Sequence, residues 1–438
     1  PATIFKNIRK LPAGHVMTIS ADGGANIRRY WDIENAGGGA PPPVVSDEKT
    51  LIRNLDTHLS RAVNKMLVSD VPLGVFLSGG IDSSTIAWYS QQHAKGKINT
   101  FSIGFEDATF DESSHAAAAA TRLGTHHAAA VFSDHKLLTL LPELYAHMDE
   151  PFADPSLLPT ALLSQAARKS VTVALGGDGA DELFFGYPTF QAEKLLQWYR
   201  LLPTPVRDRL IRPLVNALPS SALYLSADYR LKRFVRHADA LPEERHAAWI
   251  GAFSPQDLSP LLTEDFKKSI GFAVSPDTAR ADNDSLSRIA GYYLSDYLEG
   301  DILTKADRAS MFCGLEVRAP FLDPELAAFI FALPAKYKLR GFQTKYLLKK
   351  LMRERLGADI TDRKKHGFQP PIATWLRGNL TPLIREHLNG DKLRREGIFN
   401  PTYVAQLIDR HQKGKADYRK ELWTLLVFHL WQSHWLRQ

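Results

Sequence analysis

Two glycine-rich stretches hold the residues best suited to chemistry. The first is Val75-Phe76-Leu77-Ser78-Gly79-Gly80-Ile81-Asp82-Ser83-Ser84. An apolar run enters a double glycine, and an acid and two serines follow. Glycines let backbone approach an anion closely, and a helix starting there would offer unpaired N–H groups and the positive end of its dipole. Ser78, Ser83 and Ser84 add hydroxyl donors. Asp82 alone is a poor phosphate ligand, so an acid in an anion loop points to Mg²⁺ shared between carboxylate and phosphate. No Gly-x-x-x-x-Gly-Lys-Ser/Thr run occurs anywhere in the chain, so this is not a Walker A loop. The bland alternative is a tight turn with serine caps on a helix.

The second stretch is Leu175-Gly176-Gly177-Asp178-Gly179-Ala180-Asp181-Glu182-Leu183-Phe184-Phe185-Gly186-Tyr187. It also follows an apolar run, which puts it at the carboxyl end of the same sheet, where open α/β sheets bind ligands. Asp178, Asp181 and Glu182 repel one another unless a cation or a proton holds them. Asp82 and Asp181, brought together from two strand ends, would clamp Mg²⁺ and pyrophosphate. The structural alternative is a glycine loop whose acids cap the next helix.

Three further features are weaker. Asp301–Met311 and Leu315–Asp323 alternate acids and bases, as a buried ion-pair network beside a cleft would, or as substrate contacts would. Residues 336–365 hold eleven Lys or Arg against three acids and end in Arg363-Lys364-Lys365-His366-Gly367-Phe368. A lysine there suits charge developing on phosphorus or an oxyanion, while most of the run reads as a solvated basic face. Thr125-His126-His127 lacks the partners of a metal site, and Cys313 reads as a buried structural thiol.

Strands must launch these loops and helices must receive them. Ser46-Asp47-Glu48-Lys49 opens a helix to about Met66, with Leu51, Leu55, Leu59 and Val63 on one face. Strands are expected at 71–77, 98–105, 128–132 and 171–175, and helices at 84–93 and 112–123. This alternation over residues 70–190 predicts an α/β fold, a parallel sheet with flanking helices. From about 190 onward a large helical complement follows. The first residues read as short strands at 3–8, 15–20 and 25–31. Residues 36–43, Ala-Gly-Gly-Gly-Ala-Pro-Pro-Pro, are too rich in Gly and Pro to pack a core and read as a linker at a domain boundary. No repeat of fixed period is present.

Composition excludes several classes. The chain has 438 residues, 44% hydrophobic and 23% charged, which rules out a wholly disordered protein. Cys313 is the one cysteine, which excludes an intrachain disulfide scaffold and a multi-cysteine metal cluster and fits a reducing, cytoplasmic location. No apolar run reaches the length of a membrane span, and no membrane partner is expected. A net charge of +6 suits anionic small ligands, and no groove-reading motif supports nucleic acid as a partner. Pro1 stands where an initiator methionine would, so the chain is expected to be part of a longer product.

Taken together, these stretches resemble the synthetase part of the glutamine-hydrolysing asparagine synthetase family. The Ser78–Ser83 loop is similar to that family's ATP-pyrophosphatase loop, a loop also found in GMP synthetases, NAD synthetases and tRNA-thiolating enzymes. The second loop, Thr304–Met311 and Leu315–Asp323 narrow the resemblance. So do Asp149–Ser156, and Lys365 with Gly367-Phe368 and Pro371. It spans roughly residues 46 to 385. At the start, Ile4-Phe5, Ile8–His15 and Tyr30-Trp31 resemble the last hairpin of the family's N-terminal glutaminase domain. The rest of that domain, with its cysteine nucleophile, is absent from this chain. The domains this implies are 1–35, a glutaminase remnant; 36–45, a linker; and 46–438, the synthetase.

The resemblance implies an ATP-pyrophosphatase fold and an AMP-forming amide ligase using ATP and Mg²⁺. A substrate carboxylate, aspartate first of all, would attack the α-phosphorus of ATP, and ammonia would then displace AMP. By this resemblance Ser78, Gly79, Gly80, Asp82 and Ser83 hold pyrophosphate, with Asp82 and Asp181 on Mg²⁺. Leu77, Ile103, Gly176 and Gly177 meet the nucleotide, and Lys365 stabilises the α-phosphate. Asp178 takes a place often held by a glutamate thought to assist the attacking amine, and its carboxylate sits back by one C–C bond, roughly 1.5 Å. Gly176 replaces a common serine. Both departures touch the acceptor, and aspartate at 178 resembles the branch of amidotransferases from polysaccharide and natural-product clusters. The implied partners are a small carboxylate acceptor, ammonia or glutamine through a glutaminase domain, and a second copy in a homodimer. Alternatives are an amidotransferase or cyclase acting on another carboxylate, and a non-catalytic nucleotide-binding module.

Overall fold

A computed structural model describes residues 2–33, 47–106, 111–219, 226–270, 285–363 and 370–436. Lys365 and the linker at 36–45 lie outside the described residues. The chain divides into two compact units, each built from three stretches of sequence. The first comprises Pro1–Ser133, Leu157–Tyr187 and Ala290–Phe368, and the second Asp134–Ser156, Pro188–Ile289 and Gln369–Gln438.

In the first unit a hairpin of β1 (His15–Ile19) and β2 (Ala25–Arg29) pairs antiparallel. The expected strand at 3–8 is not formed; a bridge between Ala2 and Arg9 spans a bend and one turn instead. The main sheet has five parallel strands: β3 (Leu73–Phe76), β4 (Asn99–Phe105), β5 (His126–Phe132), β6 (Val173–Leu175) and β7 (Glu316–Arg318), in the order β5-β4-β3-β6-β7. The expected parallel α/β architecture is therefore present. β7 was not foreseen, because three residues within a helix-rich stretch carry no strand period. From β3 the chain proceeds outward to β4 and β5, then returns to the other side of β3 to make β6. The order thus switches between β3 and β6, which pair with Val75 opposite Leu175.

Helix α1 (Glu48–Met66) buries Leu51, Leu55, Leu59 and Val63, the face read from the sequence, and Asp47 caps it by accepting from the Thr50 N–H at 3.0 Å. These side chains join α2 (Ile81–His93), Val75, Leu77, Leu175 and the helix Tyr346–Leu356 in one core. Helix α3 (Ser113–Leu123) ends on Gly124 in the left-handed conformation, a usual stop. A fully buried leucine set on α5 (Leu157–Arg168) packs on β4 and β5.

The second unit is helical and includes α4 (Asp134–Ala146) and α7 (Pro188–Arg200); the short α6 (Ala180–Leu183) belongs to the first unit. Inside it Arg245 is fully buried and donates to both oxygens of Glu193, at 2.6 and 2.7 Å. Burial opposes ionisation of Glu193, yet hydrogen bonds from His246 and Arg245 keep its carboxyl below the ordinary value. Removing one partner of such a pair strands a charge. Arg245→Met is therefore expected to cost about 3–5 kcal/mol in urea unfolding, and Glu193→Leu added to it to recover most of that loss. Additive losses would disprove the coupling. Among the described residues no helix is long and apolar enough to cross a membrane.

Candidate active site

The two glycine loops leave the carboxyl ends of neighbouring strands, which is why they meet. Leu77 is tied to β4 by its N–H, donated to the Phe101 carbonyl at 2.8 Å. Gly79 then turns with φ 73° and Gly80 becomes the N-cap of α2, with no side chain capping it. The helix starts at Ile81, three residues before the expected start, so Asp82 and Ser83 lie in its first turn rather than in a loop. First-turn N–H groups without a side-chain cap form an anion site. Ser83 is held from within: its Oγ accepts from the Ser78 N–H at 3.1 Å and lies 3.0 Å from the Ser78 Oγ. Ile103 is buried in β4, beside β3.

The second loop seats itself on the first. A Cβ on Gly177 would lie 3.1 Å from both the Asp82 Cβ and the Ser83 N, so a side chain there would have to push the first loop back by a few tenths of an ångström. A Cβ on Gly176 would meet the Asp178 carboxylate at 2.8 Å. The three acids of this loop are reconciled in three different ways. Burial first, then the nearby Asp181 and Asp82 charges, push the Asp178 carboxyl above its ordinary value, with Lys305 opposing. Glu182 is buried and accepts from the Tyr187 hydroxyl at 2.7 Å. Asp181 meets a cation.

That cation is Lys345, which the sequence reading left inside the solvated basic run. Its Nζ lies 2.5 Å from Asp82 Oδ2 and 2.6 Å from Asp181 Oδ1, with the lysine side chain 4% exposed. Burial alone would favour the neutral amine; the two carboxylates outweigh it and hold the ammonium well above the ordinary value. Lys345 donates its backbone N–H to the Phe184 carbonyl at 3.1 Å, which fixes it beside the second loop. Its backbone is left-handed, φ 54°, as is that of Phe185, φ 56°. Non-glycine residues in that region cost on the order of 1–3 kcal/mol each, a cost met where surroundings over-determine the conformation. Gly186 leaves the room: a Cβ there would sit 2.2 Å from the Lys345 Cε.

Arg363 belongs to the same basic run. It donates to the Ser78 carbonyl at 3.4 Å and pairs with Glu112. Burial pushes the Glu112 carboxyl up, and Arg363 partly offsets this. Lys365 follows two residues later, outside the described residues.

Asp307–Arg308 and Glu316–Arg318 make exposed or half-exposed pairs, while Lys305, in the same stretch as Asp307, bears on the buried Asp178 carboxyl. Asp323 is buried and caps the helix Pro324–Ala332. His127 lies between Thr100 and Ser102, 3.0 and 3.1 Å from their hydroxyls. Cys313 is half-buried, donates weakly to the Ala161 carbonyl at 3.4 Å, and is pushed by burial up to about 11, which makes it a poor nucleophile.

The residues fit a divalent cation brought in with a nucleotide. Two carboxylates already converge on one positive group, and with Lys345 they leave one net negative charge. Among the described residues no cluster of three or more acidic, His or Cys side chains could hold a metal alone. Mg²⁺ commonly takes one or two carboxylates and fills its shell from phosphates and water, and Asp82 and Asp181 are the carboxylates that could serve it.

Comparison with known proteins agrees with this geometry. The chain is 30% identical over 436 residues to asparagine synthetase (glutamine-hydrolyzing) 1 of Bacillus subtilis, covering 99% of this chain and 66% of that protein. It is 33% identical over 446 residues to a putative asparagine synthetase (glutamine-hydrolyzing) of Mycobacterium tuberculosis, covering 99% and 65%. A more distant relative, Amidase chyE of Penicillium rubens, is 22% identical over 448 residues, covering 93% and 65%. The chain thus spans just under two thirds of the length of these curated relatives. The family Asparagine synthase matches residues 54–433, and with both glycine loops inside that span the chain belongs to this family.

Proposed function

We propose that this chain is the synthetase part of an ATP-dependent, AMP-forming amide ligase that joins a small carboxylic acid to ammonia. The observation that carries the reading is the Lys345 ammonium held by Asp82 and Asp181 at the junction of the two glycine loops, beside the N-terminus of α2. A carboxylate does not react with an amine at neutral pH until one oxygen becomes a good leaving group. Adenylation meets this need: an acceptor carboxylate oxygen bonds to the α-phosphorus, and the bond to pyrophosphate breaks. The amine nitrogen then bonds to the acyl carbon and AMP leaves with the electron pair.

The chain's residues divide this work. First-turn N–H groups of α2 and the Ser78 and Ser83 hydroxyls bind the departing phosphates. Lys345 places a fixed positive charge beside them in a site shielded from water, where such charge counts most. Mg²⁺, when bound through Asp82 and Asp181, would supply further neutralisation of the pyrophosphate. Leu77, Ile103 and Gly177 present backbone to the nucleoside, and Lys365 serves the α-phosphate. Asp178 takes the proton that the attacking amine must lose. Ammonia comes from glutamine through a glutaminase domain of which residues 1–35 are the end, joined through 36–45 to the synthetase at 46–438. Aspartate is the first acceptor to test.

The test is pyrophosphate release from ATP with Mg²⁺ and ammonium across a panel of carboxylates. Release with aspartate, together with asparagine formation, is the expected result. Release with a different acid replaces the substrate and keeps the chemistry. ATP binding with no release from any acid overturns the reading and favours a nucleotide-binding module.

Asp178 gives the reaction a pH signature. Burial raises its folded value, so it holds a proton to higher pH than an ordinary aspartate. Amide formation is expected to rise with pH through that raised value, and Asp178→Asn to flatten the limb while pyrophosphate release persists. Stability has the opposite sign. The fold binds this proton more tightly than the unfolded chain, so the contribution is present at low pH and is lost as pH rises through the folded value. An unchanged limb in Asp178→Asn would remove the base assignment.

A further inference from the structure

Helix α7 runs on into a second helical stretch over Thr204–Val206, Arg207–Ile211 and Arg212–Asn216, the middle part wound as a π-helix. One face of this pair closes a small core: Leu196 and Tyr199 pack with Phe234, Val235 and Trp249, and Ile211 and Val215 lie against them. The opposite face of such an element is ordinarily polar. Here Trp198 is 68% exposed, Leu201 83%, Leu210 54% and Leu214 61%. Val206, Leu210 and Leu214 fall four residues apart and make a stripe along one side. Several large apolar side chains exposed on one element suit a contact surface.

Charge selects what it contacts. Residues 194–218 carry five basic side chains and one acid, and Asp239 packs against two of the arginines, which leaves a net +3 on this element. Arg207 and Arg212 pair with Asp208 and Asp239, Arg200 donates to the Ala238 carbonyl at 2.8 Å, and Arg209 is exposed. A second copy would bring two such cationic faces together across a twofold axis. Leucines and a tryptophan rimmed by arginines form the pattern of an element lying in the headgroup plane of an anionic bilayer. We propose that this face seats the protein on an anionic lipid surface. No membrane partner was expected from the sequence, because no segment spans a bilayer; a surface contact needs no span.

The test is sedimentation of the 438-residue chain with vesicles of phosphatidylcholine alone or with about 30% phosphatidylglycerol. Binding to the anionic vesicles that weakens with added salt is expected. Leu210→Asp with Leu214→Asp is expected to weaken it at least about tenfold, and Arg209→Glu several-fold with a shallower salt dependence. Urea midpoints and pyrophosphate release should stay unchanged in these variants, since all three residues are exposed. The proposal is overturned by no binding to anionic vesicles, by equal binding to neutral ones, or by full binding of the double variant. A dimer that the double variant dissolves, with no vesicle binding, also overturns it and makes the face an interface between copies.

Discussion

Lys345→Met is expected to lower Mg²⁺-dependent pyrophosphate release by about 10³-fold and to cost about 3–5 kcal/mol of stability. Both effects have one cause. The ammonium sits between Asp82 and Asp181 at 2.5 and 2.6 Å, and its loss leaves two carboxylates facing each other with little water. Lys345→Arg should not rescue either loss, because the backbone at Gly186 leaves no space beside the Lys345 Cε for a broader guanidinium. The pH dependence has a definite sign. The folded value of Lys345 lies above its ordinary 10.5, so the stabilisation is fully present below that pH and is lost only as pH rises through the folded value. Urea unfolding at pH 7 and 9 should therefore show the same penalty. A variant within about threefold of the parent in release and about 1 kcal/mol in stability would remove Lys345 from the site.

Asp82→Ala is expected to abolish Mg²⁺-dependent pyrophosphate release, again by about 10³-fold or more, and yet to leave the fold nearly as stable as before. The asymmetry with Lys345 follows from counting charge. Removing Asp82 leaves Lys345 with Asp181, a neutral pair; removing Lys345 leaves two like charges. Asp82 also stands in the first turn of α2, where an acid favours the helix dipole, so a loss of about 0.3–1 kcal/mol is the expected size. The paired measurement is release against Mg²⁺ concentration together with the urea midpoint. Unchanged release would end the clamp assignment. A stability loss equal to that of Lys345→Met would show that the charge count, and with it the coupling, is wrong.

The site was legible where short stretches carry their own geometry. Strand, double glycine, acid and serine specify a tight turn into a helix N-terminus at 78–83, because glycine supplies the turn and the helix exposes its first N–H groups. The apolar spacing of α1 and the alternation of strand and helix through residue 190 likewise need no tertiary knowledge. Isoleucines at 4 and 8 look like strand residues, but the segment makes a bend, one turn and one bridge. β7 was missed because three residues pair only when β6 lies beside them.

Lys345 was hidden for a different reason. It stands among eleven basic residues between 336 and 365, and nothing local distinguishes a buried lysine from a solvated one. Its role depends on partners 263 and 164 positions away in the chain, on a left-handed backbone, and on the bare edge of Gly186. The leucines at 210 and 214 have the spacing of a core face, yet they are exposed, because Ile211 and Val215 of the same stretch pack on that core instead. By itself the sequence determined the two loops, their acids and the sheet that carries them, since those follow from local backbone chemistry and periodicity. Tertiary structure alone decided which charges meet, because Coulomb interactions act between neighbours in space and burial sets their strength.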